Sequence, residues 1–533
     1  MSPFAEIELS SLSNFQMIDW IIVGCYLSIS LIIGILVTRY ATSMTAFIGA
    51  GRSVGPWLGV ATMTGTEMGL ITVMYMAQAG FTGGFAAFHM AVIAGSGTLF
   101  VGLTGFIVAP LRAEKVLTIP EYYEKRFGKD VRVVGGIILA AAGILNMGLF
   151  LQVGAKFIVG ATGLSFDGTA LMNVMTVLLI LVLVYTVLGG MISVILTDYT
   201  QFVVLSFGII ATTYLAINQI GVSEMQVAIA EGMGEAGFNP VTTDGDFGIS
   251  YVLFQLFAAG IVGCAVWPTA VSRALAMESP KAVKQQYTVS AISFTIRFLI
   301  PMFWGIAAYT FFFNSSHEIA SMFIGESAID DAGLYAMPAF LGQVLPTGLL
   351  GLIVAAMIAA FMSTHDSYLL CWSSVLTQDV VAPLSKNELS NDQRITLTRV
   401  FIVLIGAFIW GWGLFYEGND RIWDYMVITG SIYATGAVVV LVGGLYWSKA
   451  SRRGAMVALL VGATALLGLE PMRHGCIALI AIVVTIDVEY WQQEVTSSVV
   501  GLFSLGLTTL SFITCSLALP DRPNCKEEQS SDA

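Results

Sequence analysis

The sequence predicts an all-α polytopic membrane protein, and two observations carry this prediction. Hydrophobic residues make up 56% of the 533 residues and charged residues only 11%, whereas an ordinary soluble domain carries about 25% charged residues. Apolar stretches of the roughly 20 residues that a membrane-spanning helix needs recur along the whole chain. They begin near residues 19, 54, 86, 133, 170, 192, 251, 289, 345, 400, 424, 454, 475 and 498. We therefore expect about fourteen transmembrane helices.

The basic residues indicate how these helices are oriented. When the sides of the membrane are numbered alternately, beginning outside, 17 of the 23 Lys and Arg residues fall in the inward loops, as the positive-inside rule requires. The two long outward loops, about 218–250 and 313–340, contain no Lys or Arg. The pattern predicts a multi-pass protein of the plasma (inner) membrane with its N-terminus outside.

The composition argues against several other classes of protein. The net charge of −12 reflects acidic residues gathered in a few loops, so we expect no nucleic-acid partner. None of the six cysteines forms a CxxC pair, and most lie in apolar spans, which favours buried thiols over disulfides or a metal cluster. The acidic N-terminus is not a cleavable signal peptide. We expect a single transmembrane domain over 1–533, without a soluble or signalling domain.

The long loops divide the core into two sets of five helices, about 54–218 and 251–446, with accessory helices at about 19–38 and 454–518. The chain enters the first set from the inside and the second from the outside. Because each set has an odd number of helices, the two sets have opposite topology, an architecture common in secondary transporters.

The first helix of each set is interrupted by residues that weaken helices. Thr62 to Gly69 is rich in Gly and Thr and contains Glu67, and the first span of the second set contains Gly260, Gly263 and Pro268. Interrupted spans at matching positions point to a binding site. Close packing of helices through small residues is the alternative.

A polar cluster follows a long apolar run in "AAFMSTHDSYLL", residues 359–370. At about 100° per residue, the residues that share one face are Ala360, Ser363, Thr364, Asp366 and Ser367. His365 points to the other side. A face that offers only oxygen ligands is not typical of a Zn or Cu site, and it is better suited to binding Na⁺ than Ca²⁺. Hydrogen bonding of Ser and Thr to the preceding turn is the alternative.

Four stretches in this order carry a family resemblance: "TIPEYYEKRFGK", "YTVLGGMISVILTDYTQ", "AAFMSTHDSYLLCWSSVLTQDVV" and "LVGGLYWSKASRRGAMVALLVG". They resemble the sodium:solute symporters, which include sodium/proline, sodium/pantothenate and sodium/glucose transporters. The resemblance implies a LeuT-like 5+5 inverted repeat, with one extra helix before the core and about three after it. It also implies alternating access driven by Na⁺.

The resemblance further implies which residues bind Na⁺. The first site would use backbone carbonyls and hydroxyls of Gly65, Met68, Ala360, Ser363 and Thr364. A possible second site involves Asp198, with the hydroxyls of Ser363 and Ser367. Asp366 is a further candidate there, because a charge inside a span is costly. A cap at the membrane surface is the alternative role for Asp198.

The solute is less well defined by the sequence. Sodium/proline members carry aromatic residues at the positions of Gly260 and Cys264, which argues against proline, and a sugar-coordinating polar set is not evident. Glu67 could hold an ammonium or quaternary amine, or tune Na⁺ affinity. The candidate solute contacts are Thr66, Glu67, Thr72, His89, Asn146, Gln152, Gln255 and Trp267.

We therefore expect Na⁺-coupled symport of a small organic solute, most readily an amino acid or a related amine or carboxylate. The alternatives are an H⁺-coupled or a sugar- or vitamin-type symporter of the same fold, with Glu67, Asp198 and Asp366 as relay groups for H⁺. A transporter-like sensor ranks below these. An enzyme is not expected, because HExxH, Walker and Ser-His-Asp patterns are missing from the sequence. The expected partners are Na⁺, the solute and the lipid bilayer, with no protein partner predicted.

Overall fold

The computed structural model describes residues 13–37, 50–164, 168–242, 247–315, 317–325, 328–329, 331–416, 421–484 and 487–521. Nearly all of these residues are helical, and among them there is no strand, only a single parallel bridge between Val54 and Met277. The all-α prediction is confirmed. A lipid bilayer accounts for the all-helical fold, since a spanning helix satisfies its own backbone hydrogen bonds where water is absent.

The α-helices in chain order are α1 Met17–Val37, α2 Pro56–Glu67, α3 Leu70–Gly83, α4 Phe88–Thr104, α5 Val108–Ala113, α6 Ile119–Phe127, α7 Lys129–Asn146, α8 Phe150–Thr162, α9 Gly168–Ile220, α10 Val222–Met233, α11 Ile249–Phe257, α12 Pro268–Ala276, α13 Pro280–Phe313, α14 His317–Phe323, α15 Ala332–Val344, α16 Leu349–Val375, α17 Ala382–Leu384, α18 Asn391–Phe415, α19 Ile422–Tyr446, α20 Arg452–Gly462, α21 Glu470–Val483, α22 Val488–Glu494 and α23 Ser497–Ala518. Short 3₁₀ segments are Ala50–Arg52, Gly84–Ala87, Gly234–Gly237 and Ala463–Gly468, and π-helical segments are Ala258–Val266 and Leu376–Val381.

Within the described ranges, eight helical stretches are long and apolar enough to cross a membrane, or nine if one bent pair counts as a single span. Each predicted span begins inside one of the helices above or within a few residues of one. Two predicted spans, near 170 and 192, fall in the single helical run α9.

Side-chain contacts fix the two ends of α9 against neighbouring helices. Trp410 of α18 donates to Thr176 near the start of α9 (3.0 Å), and Gln219 at its end donates to the carbonyl of Val344 (3.3 Å). Thr398, near the start of α18, contacts Thr377 just beyond the end of α16 (3.0 Å), so α18 runs back along α16 and carries Trp410 toward the beginning of α16. The two ends of α9 are thus held by α18 and by the last residue of α15.

The two interrupted helices are broken where the sequence predicts. α2 stops at Glu67 and α3 begins at Leu70, with Met68 (φ −97°, ψ 57°) and Gly69 (φ −78°, ψ 164°) between them in non-helical conformations. In the second set, α11 widens into the π-helical segment, and Trp267 (φ −65°, ψ 124°) is extended immediately before Pro268. A residue before proline avoids the helical region, which explains the position of this break.

The C-terminal accessory region differs from the three crossings predicted near 454, 475 and 498. α21 has only 14 residues and bends 89° away from the preceding Arg452–Gly468 stretch. Ser497 at the start of α23 donates to the Gly468 carbonyl (2.9 Å), and Asp521 accepts from the Arg452 backbone N–H (3.0 Å). α23 is therefore antiparallel to α20, and the chain from Glu470 to Glu494 begins and ends on one side.

The N-terminal accessory helix is fastened to the start of α16 by a buried carboxylate. Asp19 is fully buried, and its Oδ1 accepts the backbone N–H groups of Gly348 (2.7 Å) and Gly351 (2.8 Å). The first amides of a helix have no partner within the helix and favour a negative charge. Asp19 thus caps α16, which is buried on almost all sides.

α3 and α13 pack with their backbones in close contact. A Cβ added to Gly305 would lie 2.0 Å from the carbonyl oxygen of Ala77, and one added to Gly80 would lie 2.0 Å from that of Met302. Glycine at both positions is what allows the two helices to approach this closely, as in other membrane helix pairs.

We therefore expect Gly305→Ala to lower the thermal unfolding midpoint of the detergent-solubilised protein, because overpacking costs about 1–3 kcal/mol. Gly411→Ala is the matched control, since a Cβ there meets nothing within 4 Å. Equal midpoints for Gly305→Ala and wild type would show that the α3–α13 contact is looser than described.

Candidate sodium and solute site

The break between α2 and α3 lies against the polar cluster of α16. Ser363 Oγ donates to the carbonyl oxygens of Gly65 and Ala360, both at 3.1 Å. Thr364 Oγ1 donates to the carbonyl oxygens of Thr66 (3.3 Å) and Ala360 (3.1 Å). Both side chains are buried. The two hydroxyls and three carbonyls form a compact group of oxygen atoms across the α2–α16 contact.

Four of the five residues predicted for the first Na⁺ site are thus brought together: Gly65, Ala360, Ser363 and Thr364. The fifth, Met68, lies in the break itself, where its backbone N–H donates to the Thr64 carbonyl (2.8 Å). Next to it, Gly69 is so close to α16 that a Cβ there would lie 1.9 Å from Thr364 Oγ1. The arrangement supplies neutral oxygen ligands, which hard monovalent cations prefer.

The residues proposed for a second Na⁺ site have different surroundings. Ser367 Oγ donates to Asp366 Oδ1 (3.1 Å) and accepts from Nη2 of Arg273 (2.6 Å). The backbone at Asp198 is part of α9, but its side chain lies outside the part of the chain that the structure describes. His365 is buried between the rings of Phe150 (5.6 Å) and Phe361 (3.8 Å), away from this group.

A cavity of about 750 Å³, counting the space open to solvent, adjoins the break. Its lining comes from both interrupted helices, from α13, α16 and α19, and from the junction of α7 and α8. The lining residues are Thr66, Glu67, Ile71, Thr72, Tyr75, Asn146, Phe150, Ala258, Ala259, Val262, Gly263, Trp267, Arg297, Phe298, Thr364, Tyr368, Trp423, Met426, Val427, Gly430 and Ser431. Mostly apolar walls with a few fixed polar groups are typical of small-molecule sites.

Glu67 and Arg297 form an ion pair in the wall of this cavity. Arg297 Nη1 donates to Glu67 Oε2 (2.7 Å), and the other carboxylate oxygen, Oε1, accepts from Thr269 Oγ1 (2.9 Å). The two charged side chains are 10% and 7% exposed. The Arg297 guanidinium also lies 3.8 Å from the ring centre of Phe294 and 4.8 Å from that of Phe298. Glu67 therefore connects the first interrupted helix to the second, through Thr269, and to α13.

Two polar atoms at the cavity have unused hydrogen-bonding capacity. Arg297 Nε and Asn146 Oδ1 are buried and have no hydrogen-bond partner among the described residues. Asn146 Nδ2 is held by the Met426 carbonyl (2.6 Å) and by Thr429 Oγ1 (3.1 Å), which fixes the amide. Each of the two residues that line the cavity thus has one buried polar atom without a described hydrogen-bond partner.

The candidate solute residues divide into two groups. Thr66, Glu67, Thr72, Asn146 and Trp267 line the cavity. His89, Gln152 and Gln255 do not. His89 packs against Phe247 and Tyr251, Gln152 lies beside Gly413, and Gln255 is buried in α11. The last three share only polarity within an apolar span, which does not determine the face on which a side chain lies.

Sequence reasoning missed Arg297, and a signal for it was present. "SAISFTIRFLIPMFWG" contains a single basic residue within an apolar span, and an ionisable residue inside a membrane is by default a candidate for a functional site. It also missed the aromatic walls from Tyr75, Phe298, Tyr368 and Trp423, because aromatic residues are frequent in every span of this chain.

Residues 47–462 match the sequence model of the sodium:solute symporter family. The chain belongs to this family. The symporter is 25% identical over 468 residues to the sodium/glucose cotransporter of Vibrio parahaemolyticus, an alignment that covers 83% of each chain. It is 25% identical over 448 residues to the high-affinity proline transporter of Bacillus subtilis, covering 81% of this chain and 88% of the relative.

The solved structure of a Na⁺-coupled sialic acid symporter in a substrate-bound outward-open state has the same fold. It superposes with a TM-score of 0.73 at 18% sequence identity, covering 95% of this chain and 99% of that one. The symporter therefore has the LeuT-like fold predicted for it, and it is a multi-pass integral membrane protein. The family is made up of transporters, and Na⁺-coupled symport of a small solute is the function of this chain.

A buried polar network lies beyond the C-terminal end of α16, around Asp379. Asp379 is fully buried, and its Oδ1 accepts from Thr118 Oγ1 (2.9 Å) and from Arg132 Nε (2.8 Å). Arg132 also pairs with Glu124 and donates to the Gln378 carbonyl (2.9 Å). The network connects α6, α7 and the π-helical end of α16. Beneath it lies a cavity of about 430 Å³ lined in part by Thr118 and Cys371.

We expect Arg132→Gln to open this end, because removing one partner of a buried ion pair leaves the charge of Asp379 uncompensated. The measurement is the rate at which a small maleimide labels Cys371 when the other cysteines are replaced by Ser. Labelling should become several-fold faster than in the parent. Arg453→Gln, at an exposed residue, is the control and should leave the rate unchanged. An unchanged rate in Arg132→Gln would contradict a sealing role.

Proposed function

We propose that the solute is a small zwitterion that carries a carboxylate and an ammonium or quaternary amine, such as an amino acid or a betaine. The Glu67–Arg297 pair in the cavity wall carries this proposal. A guanidinium presents two parallel N–H groups to a carboxylate, and Arg297 Nε is a buried donor without a partner among the described residues. Glu67 provides the opposite charge a few ångströms away.

A zwitterion satisfies both members of the pair, whereas a solute with one charge satisfies only one. A carboxylate beside Arg297 would lie close to Glu67, and a lone amine beside Glu67 would lie close to Arg297. Each then meets a like charge in a poorly solvated cavity. A neutral sugar has no charge that could pair with Glu67 or Arg297. It would have to be recognised through hydrogen bonds to its hydroxyl groups. The aromatic walls fit the apolar part of an amino acid or the methyl groups of a quaternary amine.

Na⁺ and the solute are coupled in this proposal through residues that belong to both sites. Thr364 and Thr66 line the cavity, and Thr364 Oγ1 donates to the Thr66 carbonyl. Na⁺ bound by Gly65, Met68, Ala360, Ser363 and Thr364 would hold the break in α2–α3 against α16. It would thereby fix Glu67, the residue between Thr66 and Met68. Because the two ligands stabilise the same arrangement, each raises the affinity of the other by the same factor.

The cycle proposed for the symporter uses binding and movement without covalent chemistry. The two repeats, about 54–218 and 251–446, would rock around the site in the plasma membrane with the N-terminus outside. The basic inward loops support this orientation. Release follows when the Asp379 network opens on the other side.

The test is uptake into proteoliposomes under an imposed Na⁺ gradient, with a panel chosen by charge. A first screen measures Na⁺-dependent thermal stabilisation by proline, another neutral amino acid, glycine betaine, choline, acetate, glucose and sialic acid. We expect stabilisation and uptake only with members that carry both charges. Uptake of glucose, choline or acetate at comparable affinity would overturn the zwitterion proposal while leaving Na⁺-coupled symport intact.

A further inference from the structure

The helix α21 begins where its neighbours in the chain reach one face of the bilayer. The stretch Arg452–Gly468 is about 28 Å long and α23 about 33 Å long, so each matches a hydrocarbon core of about 30 Å. The hydrogen bond from Ser497 to the Gly468 carbonyl joins the end of the first to the start of the second. α21 therefore starts at the edge of the hydrocarbon core, on the face opposite Arg452. This is the outer face in the orientation proposed for the symporter.

The direction and the length of α21 place it in the plane of the membrane. The helix is bent by 89° from the stretch that precedes it, and spanning helices are tilted by only about 20° on average from the membrane normal. Its 14 residues measure about 21 Å, which is too short to cross the hydrocarbon core. α21 therefore runs nearly parallel to the membrane surface.

The side chains of α21 are divided between an apolar face and a polar face. At about 100° per residue, Met472, Leu479 and Val483 lie within about 20° of one line along the helix. These three side chains are 48%, 65% and 86% exposed. The other half of the helix surface carries the polar residues and the buried residue of the helix, namely Glu470, Arg473, His474 and Ile477. An exposed apolar face opposite a polar one is typical of a helix that lies in a membrane surface.

The neighbouring residues indicate that lipid covers this apolar face. The helices before and after it, α20 and α23, expose apolar side chains such as Leu460 and Phe503, as helices surrounded by lipid do. In α22, the rings of Tyr490 and Trp491 are exposed too, and such rings are enriched at the level of the lipid headgroups. Glu494 at the end of α22 is also exposed. The apolar face of α21 thus continues the surface that lipid already covers, and α22 lies where lipid meets water.

We propose that α21 is a surface helix that binds the outer leaflet of the bilayer, with its apolar face among the acyl chains and its polar face toward water. Helices of this kind are buried about 5–10 Å into the boundary between headgroups and acyl chains. The polar face then forms part of a cavity of about 790 Å³, in which Glu470 and Arg473 lie opposite Phe247 and Asp424. The lipid contact holds this wall beside the outer end of α19. The inference holds whatever the solute is.

The test measures the depth of two points on the apolar face in liposomes. Met472→Cys and Val483→Cys are made singly in a protein whose other cysteines, except the buried Cys264, are replaced by Ser, and each is labelled with a nitroxide. Depth follows from the accessibility of the label to oxygen, which enters lipid, and to a water-soluble nickel complex. The two positions lie on one face and about 16 Å apart along the helix. Both labels should favour oxygen, at depths that agree within a few ångströms.

Three further labels serve as references for these depths. Leu510→Cys, at an exposed position about 20 Å along α23, should be deeper than either test label. Arg453→Cys, at an exposed position near the start of α20, should favour the nickel complex. His474→Cys, on the polar face of α21, should have a lower ratio of oxygen to nickel accessibility than Met472→Cys.

Three results would overturn the proposal. Depths that differ by about 16 Å would show that α21 enters the membrane steeply. Preference of both test labels for the nickel complex would place the apolar face in water. Inaccessibility of both labels to either reagent would mean that protein, such as a second copy of the chain, covers the face. None of these results bears on Na⁺-dependent uptake, so the proposed function is tested separately.

Discussion

Replacing Ser363 or Thr364 by Ala is expected to raise the Na⁺ concentration for half-maximal uptake by about tenfold or more. Each substitution removes one of the hydroxyl oxygens at the α2–α16 contact, and tenfold in affinity corresponds to about 1.4 kcal/mol, a modest value for one ligand of a cation. The measurement is initial uptake into proteoliposomes across a series of Na⁺ concentrations at constant ionic strength and membrane potential. Because the two sites are coupled, the apparent affinity for the solute should fall at low Na⁺ and recover as Na⁺ is raised.

Ser373→Ala provides the matched control for these variants. Ser373 is a buried serine of the same helix, and among the described residues its hydroxyl donates only to the Leu370 carbonyl in the preceding turn (3.1 Å). If Ser363 and Thr364 had the same local role, all three variants would show wild-type Na⁺ dependence. That result would remove both residues from the Na⁺ site.

Single substitutions in the ion pair, Glu67→Gln and Arg297→Gln, should have the largest effect on transport. Both side chains are nearly buried, and removing one member of a buried pair costs roughly 3–5 kcal/mol because the remaining charge is uncompensated. Each variant should therefore lower the thermal unfolding midpoint. Each should also reduce solute affinity by about 100-fold, because removing one partner of a buried charge pair in a binding site costs about 2–5 kcal/mol of binding free energy and every 1.4 kcal/mol is a factor of about ten. The measurements are thermal stability of the purified protein and solute-dependent stabilisation at saturating Na⁺.

The double variant Glu67→Gln/Arg297→Gln distinguishes solute recognition from structural support. Without either charge, no uncompensated charge remains, so the double variant should be more stable than either single variant. Transport should nevertheless remain abolished, because the groups that recognise the solute are gone. Recovery of uptake together with stability would show that the pair is structural. Arg452→Gln is the control, since Arg452 and Asp130 form an exposed pair, which contributes about 0–1 kcal/mol.

The sequence predicted those parts of the site that depend on local pattern. Ala360, Ser363 and Thr364 share a helical face because of the period of the α-helix, and α16 brings that face to the break after Glu67. The break itself is visible as Gly and Thr residues in an apolar span, and the second break as Pro268. These features require only the residues within a turn or two of one another.

Partners distant in the chain were not predictable in this way. Arg297 meets Glu67 across 230 residues, and Arg273 meets Thr66 across 207, so no local pattern identifies either pair. His89 and Gln255 illustrate the opposite case, because polarity in an apolar span suggested a binding role whereas both lie outside the cavity. The bend before α21 was also missed, since an apolar composition does not show whether 14 residues cross a bilayer or lie across its edge.

The contact between Asp19 and the start of α16 has a consequence for the synthesis of the chain. The amide of Gly348 lies 329 residues beyond the carboxylate that it binds. At a translation rate of about 5–20 residues per second, Asp19 is made roughly 16–66 s before this partner exists. During that interval the carboxylate has to remain in water or be held by another molecule, because an unpaired charge is expensive to bury. The first helix therefore reaches its final position only after about two-thirds of the protein has been made.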